Sequence, residues 1–205
     1  MPVFIATSNS GKLRDFAAAA GSRIEILAMP DFSSLPSVEE DGLTFESNAR
    51  KKAEHYSRYA PGELLLADDS GLEVEALHGE PGVRSARYAA DAGMVPASAS
   101  AQDSDAANNT HLLRQLSATN DHNRNARFVC VLAVAREGKT LRTFEGEVRG
   151  AILAAPRGDR GFGYDPLFLL PKFGKTLAEL SPQEKAQVSH RGAAFRKFLD
   201  WFAAQ

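Results

Sequence analysis

The sequence predicts an α/β protein built on a mixed β-sheet flanked by helices, and three observations carry that reading. Near the start, the apolar Pro2-Val3-Phe4-Ile5-Ala6 gives way to Thr7-Ser8-Asn9-Ser10-Gly11-Lys12 and then to a helical stretch from Leu13 to Ala20, a strand-loop-helix order. Further on, Phe128 to Ala135 and Leu141 to Val148 flank Glu137-Gly138, which suits an antiparallel hairpin. The last stretch carries Phe195, Phe198, Leu199 and Phe202 at helical spacing, a core-facing stripe. A sheet with both kinds of strand connection is mixed. At 205 residues the chain is long enough for a sizeable core and reads as a single domain spanning residues 1–205.

Composition narrows the function classes. Hydrophobic residues make up 43% and charged residues 24%, an ordinary globular balance. A net charge of −2 argues against stable nucleic-acid binding or a membrane footprint, but leaves room for a local basic pocket that takes a phosphorylated small molecule. The single Cys130 cannot form an intrachain disulfide and lies in an apolar run, so it reads as a packed side chain. Met1 to Ala6 lacks the basic start of an export signal and no apolar run reaches membrane-spanning length, so a cytoplasmic setting is expected.

Taken in order, the first strand-to-helix junction presents backbone N–H groups and the positive end of a helix dipole, with Lys12 as a mobile charge and Gly21 as the stop. Phosphate suits such a place; so does an ordinary capped helix start with a solvated lysine. A Walker A loop would need glycine at Ala6 and Ser or Thr at Leu13, which disfavours a P-loop enzyme. Ile24 to Ala28 forms a second strand, followed by the acidic Glu39-Glu40-Asp41-Gly42. Thr44 caps a helix to about Ala60, with Phe45, Ala49, Ala53 and Tyr56 on one face.

Leu64-Leu65-Leu66-Ala67 then reads as a buried strand ending in Asp68-Asp69-Ser70-Gly71. Side chains alternate along a strand, so the two carboxylates point opposite ways, and each needs a cation or donors to offset its burial. A solvated Asx turn is the competing reading. Leu72, Val74 and Ala76 alternate with Glu73 and Glu75 as a second, half-buried strand paired with the first, closed by His78 to Gly82. Ser85 to Ala89 suits a helical turn, Ala90 to Asn109 a surface excursion, and Thr110 to Leu116 a helix.

Gly158-Asp159-Arg160-Gly161-Phe162-Gly163-Tyr164-Asp165-Pro166 combines glycines, aromatics and a carboxylate: close backbone approach, a face for a flat ring, and an acceptor for ring N–H groups. A tight turn with aromatics in the core fits the same residues. Ser181-Pro182-Gln183-Glu184 is a capping box that opens a helix bearing Lys185, and Ser189-His190-Arg191-Gly192 interrupts it before the final helix.

These motifs, in this order over nearly the whole chain, resemble the inosine/xanthosine triphosphate pyrophosphatases, house-cleaning enzymes that hydrolyse deaminated purine nucleoside triphosphates. The matching elements are Thr7 to Lys12, Glu39-Glu40 before Gly42-Leu43-Thr44-Phe45, Asn48 with Lys52, Ala67 to Leu72, Pro81-Gly82 with Ser85 to Tyr88, Phe162 to Pro166, and Lys185 with Ser189-His190-Arg191. The excursion from Ala90 to Asn109 is longer than the family usually carries. The resemblance implies an elongated mixed sheet with helices in two lobes, the active-site cleft between them, and a homodimer. It also implies Mg²⁺-dependent cleavage of ITP, dITP or XTP between the α and β phosphates.

On the same ground Glu39 and Asp69 would hold the metal, with Glu40 and Asp68 as further candidates, and Asp69 would deprotonate or orient the attacking water. Thr7, Ser8, Asn9, Ser10, Gly11 and Lys12 would cradle phosphate with Lys52, Ser70 and Lys185, while Phe162, Gly163, Tyr164, Asp165, His190 and Arg191 would meet the base. Arginine only donates, so it accepts a 6-keto purine and not the 6-amino edge of adenine. Two rivals carry weight: a pyrophosphatase of the same fold acting on modified pyrimidine nucleotides, and a catalytically silent nucleotide- or RNA-binding module.

Overall fold

The computed structural model describes residues 3–96 and 98–205. Met1, Ala97 and Pro2, the last expected in the first strand, lie outside the described residues. The seven-stranded sheet has the order β2 (Ile26–Ala28), β1 (Val3–Ile5), β3 (Leu65–Val74), β4 (Asn125–Arg136), β5 (Lys139–Ile152), β6 (Phe168–Leu170) and β7 (Lys175–Thr176). The chain forms two compact units, Met1–Ser70 with Val129–Glu147 and Pro182–Gln205, and Gly71–Phe128 with Val148–Ser181. Among the described residues no helix is long and apolar enough to cross a membrane.

In the first unit β1 (Val3–Ile5) pairs in parallel with β2 (Ile26–Ala28) and with the start of β3 (Leu65–Val74), in the register Ile5 to Ala28 and Ile5 to Leu66. The helix α1 spans Ser10–Ala20, three residues longer at its start than the apolar pattern suggested. The reason is the cap: the Asn9 carboxamide oxygen accepts from the Gly11 and Lys12 amides at 2.8 and 3.1 Å, so part of the polar loop is already helix. Gly21, at φ +56, ends it.

Thr44 opens α2 (Phe45–Tyr56) through a capping box with Ser47, and a 3₁₀ turn over Ser57–Tyr59 completes the stretch expected to run to Ala60. Strands β4 (Asn125–Arg136) and β5 (Lys139–Ile152) are joined by Glu137 at φ 50 and Gly138 at φ 80, the left-handed pair that a tight hairpin needs. Two helices, α5 (Pro182–Val188) and α6 (His190–Phe202), follow, with Ser189 as the cap of α6 where the sequence suggested an interruption. Phe16, Phe195 and Phe198 lie at the centre of the core with Ile5, Leu66 and Leu132. Cys130 is fully buried among them, and burial pushes its thiol up to about 12, so it is a packing residue.

One expectation is overturned in β3. The two strands expected around an Asp68-Asp69 turn are a single continuous strand, Leu65–Val74, so Leu72 and Val74 extend the first strand and do not pair with it. Asp-Asp-Ser-Gly has turn chemistry only while its side chains cap their own backbone. Here both carboxylates find partners from other elements, and the backbone stays extended.

In the second unit the end of β5 pairs antiparallel with β6 (Phe168–Leu170), which pairs antiparallel with β7 (Lys175–Thr176). With β1 to β3 parallel in the first unit, the sheet is mixed as expected. A short helix, α3 (Tyr88–Asp91), precedes α4 (Ala101–Ala118). The surface excursion expected from Ala90 to Asn109 is therefore helical over its second half. Ser100 caps α4 by accepting from the Asp103 amide at 3.1 Å. Its early turns face Asn108, not leucines, inward, so the apolar period is hidden: Asn108 accepts from the Ala89 amide at 2.8 Å and donates to the Ala86 carbonyl at 3.3 Å.

Candidate active site

The parallel start of the first unit delivers Lys12, on the first turn of α1, to Asp68 in β3, with Lys12 Nζ 2.9 Å from Asp68 Oδ1. Ser70, next but one along the strand and so on the same face, donates to Asp68 Oδ2 at 2.6 Å, and Arg191 Nε lies 3.7 Å from the same oxygen. Burial alone would raise this carboxyl, but Lys12, Arg191 and Lys52 outweigh it and hold Asp68 well below the usual range. Asp68 is an ionised anchor. One helical turn along α1, Asp15 accepts from Lys185 at 3.1 Å and from Arg191 at 3.4 Å. These cations come from α5 and α6, so α1 organises both ends of the cluster. Burial, with Arg191 and Lys185 nearby, holds the His190 imidazole well below its ordinary value, which keeps it neutral.

Asp69 points the other way, as strand alternation requires. Its Oδ2 accepts from the Asn48 amide at 3.1 Å and its Oδ1 from Lys52 at 3.2 Å; Lys52 also donates to Glu40 at 3.0 Å. Asn48 and Lys52 are four apart in α2, so one helix face presents both donors. The Asp69 carboxyl is raised, chiefly by burial, with Glu40 adding to the rise and Lys52, Lys12 and Asn48 opposing it. Lys52 is itself raised: burial lowers it, but Asp69, Asp68 and Glu40 together prevail and keep it charged. A buried carboxylate of raised basicity beside a fixed ammonium is suited to taking a proton from water in the presence of anions.

Gly42 fixes the acidic loop against this helix. Its amide donates to Asn48 Oδ1 at 2.8 Å, and a Cβ there would lie 2.1 Å from Ser47 Oγ and 2.5 Å from Asn48 Oδ1. Of the expected metal pair, Asp69 is in this group, while the neighbour that joins it is Glu40; the Glu39 side chain is exposed on the loop.

The polar loop contributes less backbone than expected, because Asn9 already engages the Gly11 and Lys12 amides and Thr7 accepts from the Asn9 amide at 3.1 Å. Ser8 and Ser10 are exposed at the mouth of the helix.

The remaining expected residues belong to the second unit. Asp165, 2% exposed, accepts from the Phe162 amide at 3.0 Å, and a Cβ on Gly161 would meet its Oδ2 at 2.1 Å. Tyr164 is buried and donates its hydroxyl to the Ser85 carbonyl at 2.8 Å, so it holds the loop by that bond. Gly163, at φ +61, donates to Asp105 at 2.6 Å and accepts from Asn109 at 2.9 Å.

Sequence reasoning passed over Asp15, Asn48 as a partner of Asp69, and Asp105. Only Asn48 left a signal, its spacing of four from Lys52 on one helix face.

Residues 3–201 match the Ham1 family. The chain is 52% identical over 200 residues to a dITP/XTP pyrophosphatase of Acidobacterium capsulatum, covering 97% of each chain, and 47% identical to that of Lactiplantibacillus plantarum, covering 98% of this chain and 96% of the relative. Among solved structures it is similar to a HAM1 protein from Coxiella burnetii, with TM-score 0.83 and 38% identity over the whole of both chains. The Ham1 protein of Staphylococcus aureus gives TM-score 0.79 at 38% identity, covering 100% of this chain and 99% of that one. The chain belongs to the Ham1 family.

Proposed function

We propose that this chain is a hydrolase that cleaves deaminated purine nucleoside triphosphates, ITP, dITP and XTP, to the monophosphate and pyrophosphate, acting as one catalytic domain over residues 1–205. The observation that carries the reading is the setting of Asp69: buried, raised in basicity, and fixed from one helix face by Asn48 and Lys52. The chain's relatives in Acidobacterium capsulatum and Lactiplantibacillus plantarum, both dITP/XTP pyrophosphatases, support the substrate class.

In this reaction a water oxygen bonds to the α-phosphorus, the bond from that phosphorus to the α–β bridging oxygen breaks, and pyrophosphate leaves with the bridging oxygen. Asp69 accepts the proton that water sheds. Lys12, Lys52 and Lys185 offset the charge that gathers on the leaving group. At the mouth of α1 the Ser8 and Ser10 hydroxyls and the helix dipole meet phosphate oxygens, since the Gly11 and Lys12 amides are held by Asn9. In the second unit's loop Phe162 is the proposed stacking face for the base, with Asp165 beside it; in the first unit His190 and Arg191 are the proposed contacts to the base edge.

The donor set suits Mg²⁺. Among the described residues no three acids, histidines or cysteines cluster as a complete ligand cage. A hard cation that keeps its waters needs only one or two carboxylates beside phosphate oxygens. Asp69 and Glu39 are the proposed ligands; Glu40, which shares the Lys52 ammonium with Asp69 at 3.0 and 3.2 Å, is a further candidate on the same loop. Bound there, Mg²⁺ supplies positive charge against the triphosphate oxygens. A homodimer is the assembly proposed.

The test is a panel of ITP, XTP, GTP, ATP and modified pyrimidine triphosphates, with Mg²⁺ or with EDTA, assayed for monophosphate and pyrophosphate. ITP and XTP should dominate and EDTA should abolish turnover. Preference for a pyrimidine, or binding without pyrophosphate release, contradicts the reading.

A further inference from the structure

The segment from Ala90 to Asn109 has no part in the reaction as derived above, yet its second half reaches the glycine-rich loop. Asp105 and Asn109 are four apart on α4 and therefore share a face. Between them they hold both backbone groups of one peptide unit's residue: Gly163 N–H donates to Asp105 Oδ2 at 2.6 Å, and Asn109 Nδ2 donates to the Gly163 carbonyl at 2.9 Å. The Asn109 amide also donates back to the Asp105 carbonyl at 2.9 Å, which fixes its own orientation. Gly163 sits between Phe162 and Tyr164 at φ +61, in the left-handed region that glycine enters without steric cost. No atom lies within 4 Å of where its Cβ would be, so side-chain packing does not restrain it. Other bonds hold the loop as well, among them Asp165 on the Phe162 amide at 3.0 Å, Tyr164 on the Ser85 carbonyl at 2.8 Å and the Arg160 amide on the Ala178 carbonyl at 3.2 Å.

We infer that Asp105 and Asn109 are positioning residues for the base-binding loop: by clamping the Gly163 peptide from α4 they fix the direction in which Phe162 presents its ring, and so set affinity for the purine. The inference rests on the proposed role of Phe162 toward the base. It asks of Asp105 only an acceptor oxygen. Burial raises this carboxyl, the Gly163 amide opposes the rise, and Asp165 adds to it. An amide oxygen at the same place serves equally.

The experiment compares Asp105→Ala, Asp105→Asn and Asn109→Ala with the wild-type chain, using ITP and ribose 5′-triphosphate, which lacks the base. Asp105→Ala and Asn109→Ala should raise KM for ITP roughly tenfold, the scale for losing one well-made hydrogen bond, with kcat within about threefold and ribose triphosphate hydrolysis unchanged. Asp105→Asn should keep the wild-type KM. In the free protein, hydrogen exchange over residues 161–165 should quicken in Asp105→Ala and not in Asp105→Asn. Equal losses on ITP and ribose triphosphate, a KM within twofold of wild type in Asp105→Ala, or unchanged exchange each overturn the inference. If the wild-type chain fails to hydrolyse ITP, the proposed activity is what fails, and the exchange comparison still decides whether the clamp exists.

Discussion

Asp68 and Asp69 are adjacent and chemically opposite, because a strand sends neighbouring side chains to opposite faces. Asp68 meets Lys12, Ser70 and Arg191 and is held ionised; Asp69 meets Asn48, Lys52 and Glu40 and is raised. Only the second has the basicity to take a proton. Asp69→Asn should leave the fold intact and reduce turnover at least about a hundredfold, the ordinary scale for losing a general base; near-normal kcat in a folded variant would remove Asp69 from that role. Arg191 divides differently. It meets two carboxylates, Asp15 and Asp68, yet its proposed part is at the base edge. Arg191→Gln should collapse the ratio of kcat/KM for ITP over ATP by roughly ten- to a hundredfold, since an unmatched polar edge is costly. Steady-state kinetics on both nucleotides decide the matter, because an arginine that serves only to balance those carboxylates would lower both constants equally.

Helix junctions carry the positioning. Lys185 lies in α5 and His190 and Arg191 open α6, so their placement depends on the tight passage between the two helices. Ser189 caps α6 by accepting from Gly192 at 3.2 Å, and a Cβ on Gly192 would lie 1.8 Å from the Ala186 carbonyl oxygen. Gly192→Ala must push backbone apart and should cost about 1–3 kcal/mol in urea unfolding, with a matching rise in KM as Arg191 moves. Stability unchanged from wild type would show that the junction has slack. The capping signal at Thr44 was legible because a cap is local chemistry, whereas Ser189, read from the sequence as part of an interruption, caps α6. What escaped the sequence was non-local: Asp68-Asp69 reads as a turn until Lys12, Asn48 and Lys52 arrive from elsewhere, and the first half of α4 reads as surface until Asn108 is seen to be paired inward. The acids were found as candidates, but that Lys52 reaches Glu40 while Glu39 stays exposed is set by the fold.

At the scale of the whole molecule, stability is tied to pH through the same cluster. His190 is buried and neutral, its pKa held well below the ordinary value by burial and by Arg191 and Lys185. The unfolded chain binds a proton there as pH drops below about 6.5, while the folded chain resists it, so the unfolded state holds more protons and folding stability falls with pH. The slope from this residue should approach about 1.4 kcal/mol per pH unit between roughly pH 6 and 5. Urea midpoints across that range should drop in the wild-type chain and flatten in His190→Gln; an identical slope in both would mean that other groups set the acid limit. Asp68, depressed by its cations, adds its own loss only as pH falls below the ordinary carboxylate range.

In the proposed reaction water attacks the α-phosphorus, and isotope transfer reads the point of attack directly. Hydrolysis of ITP in H₂¹⁸O with Mg²⁺, followed by mass spectrometry of both products, should place one ¹⁸O in inosine monophosphate and none in pyrophosphate, with no orthophosphate formed. That is the outcome expected when Asp69 directs water to the α-phosphorus. Label in pyrophosphate, or release of orthophosphate, would place the attack on another phosphorus and contradict the arrangement of Asp69, Lys52 and Lys12 described above.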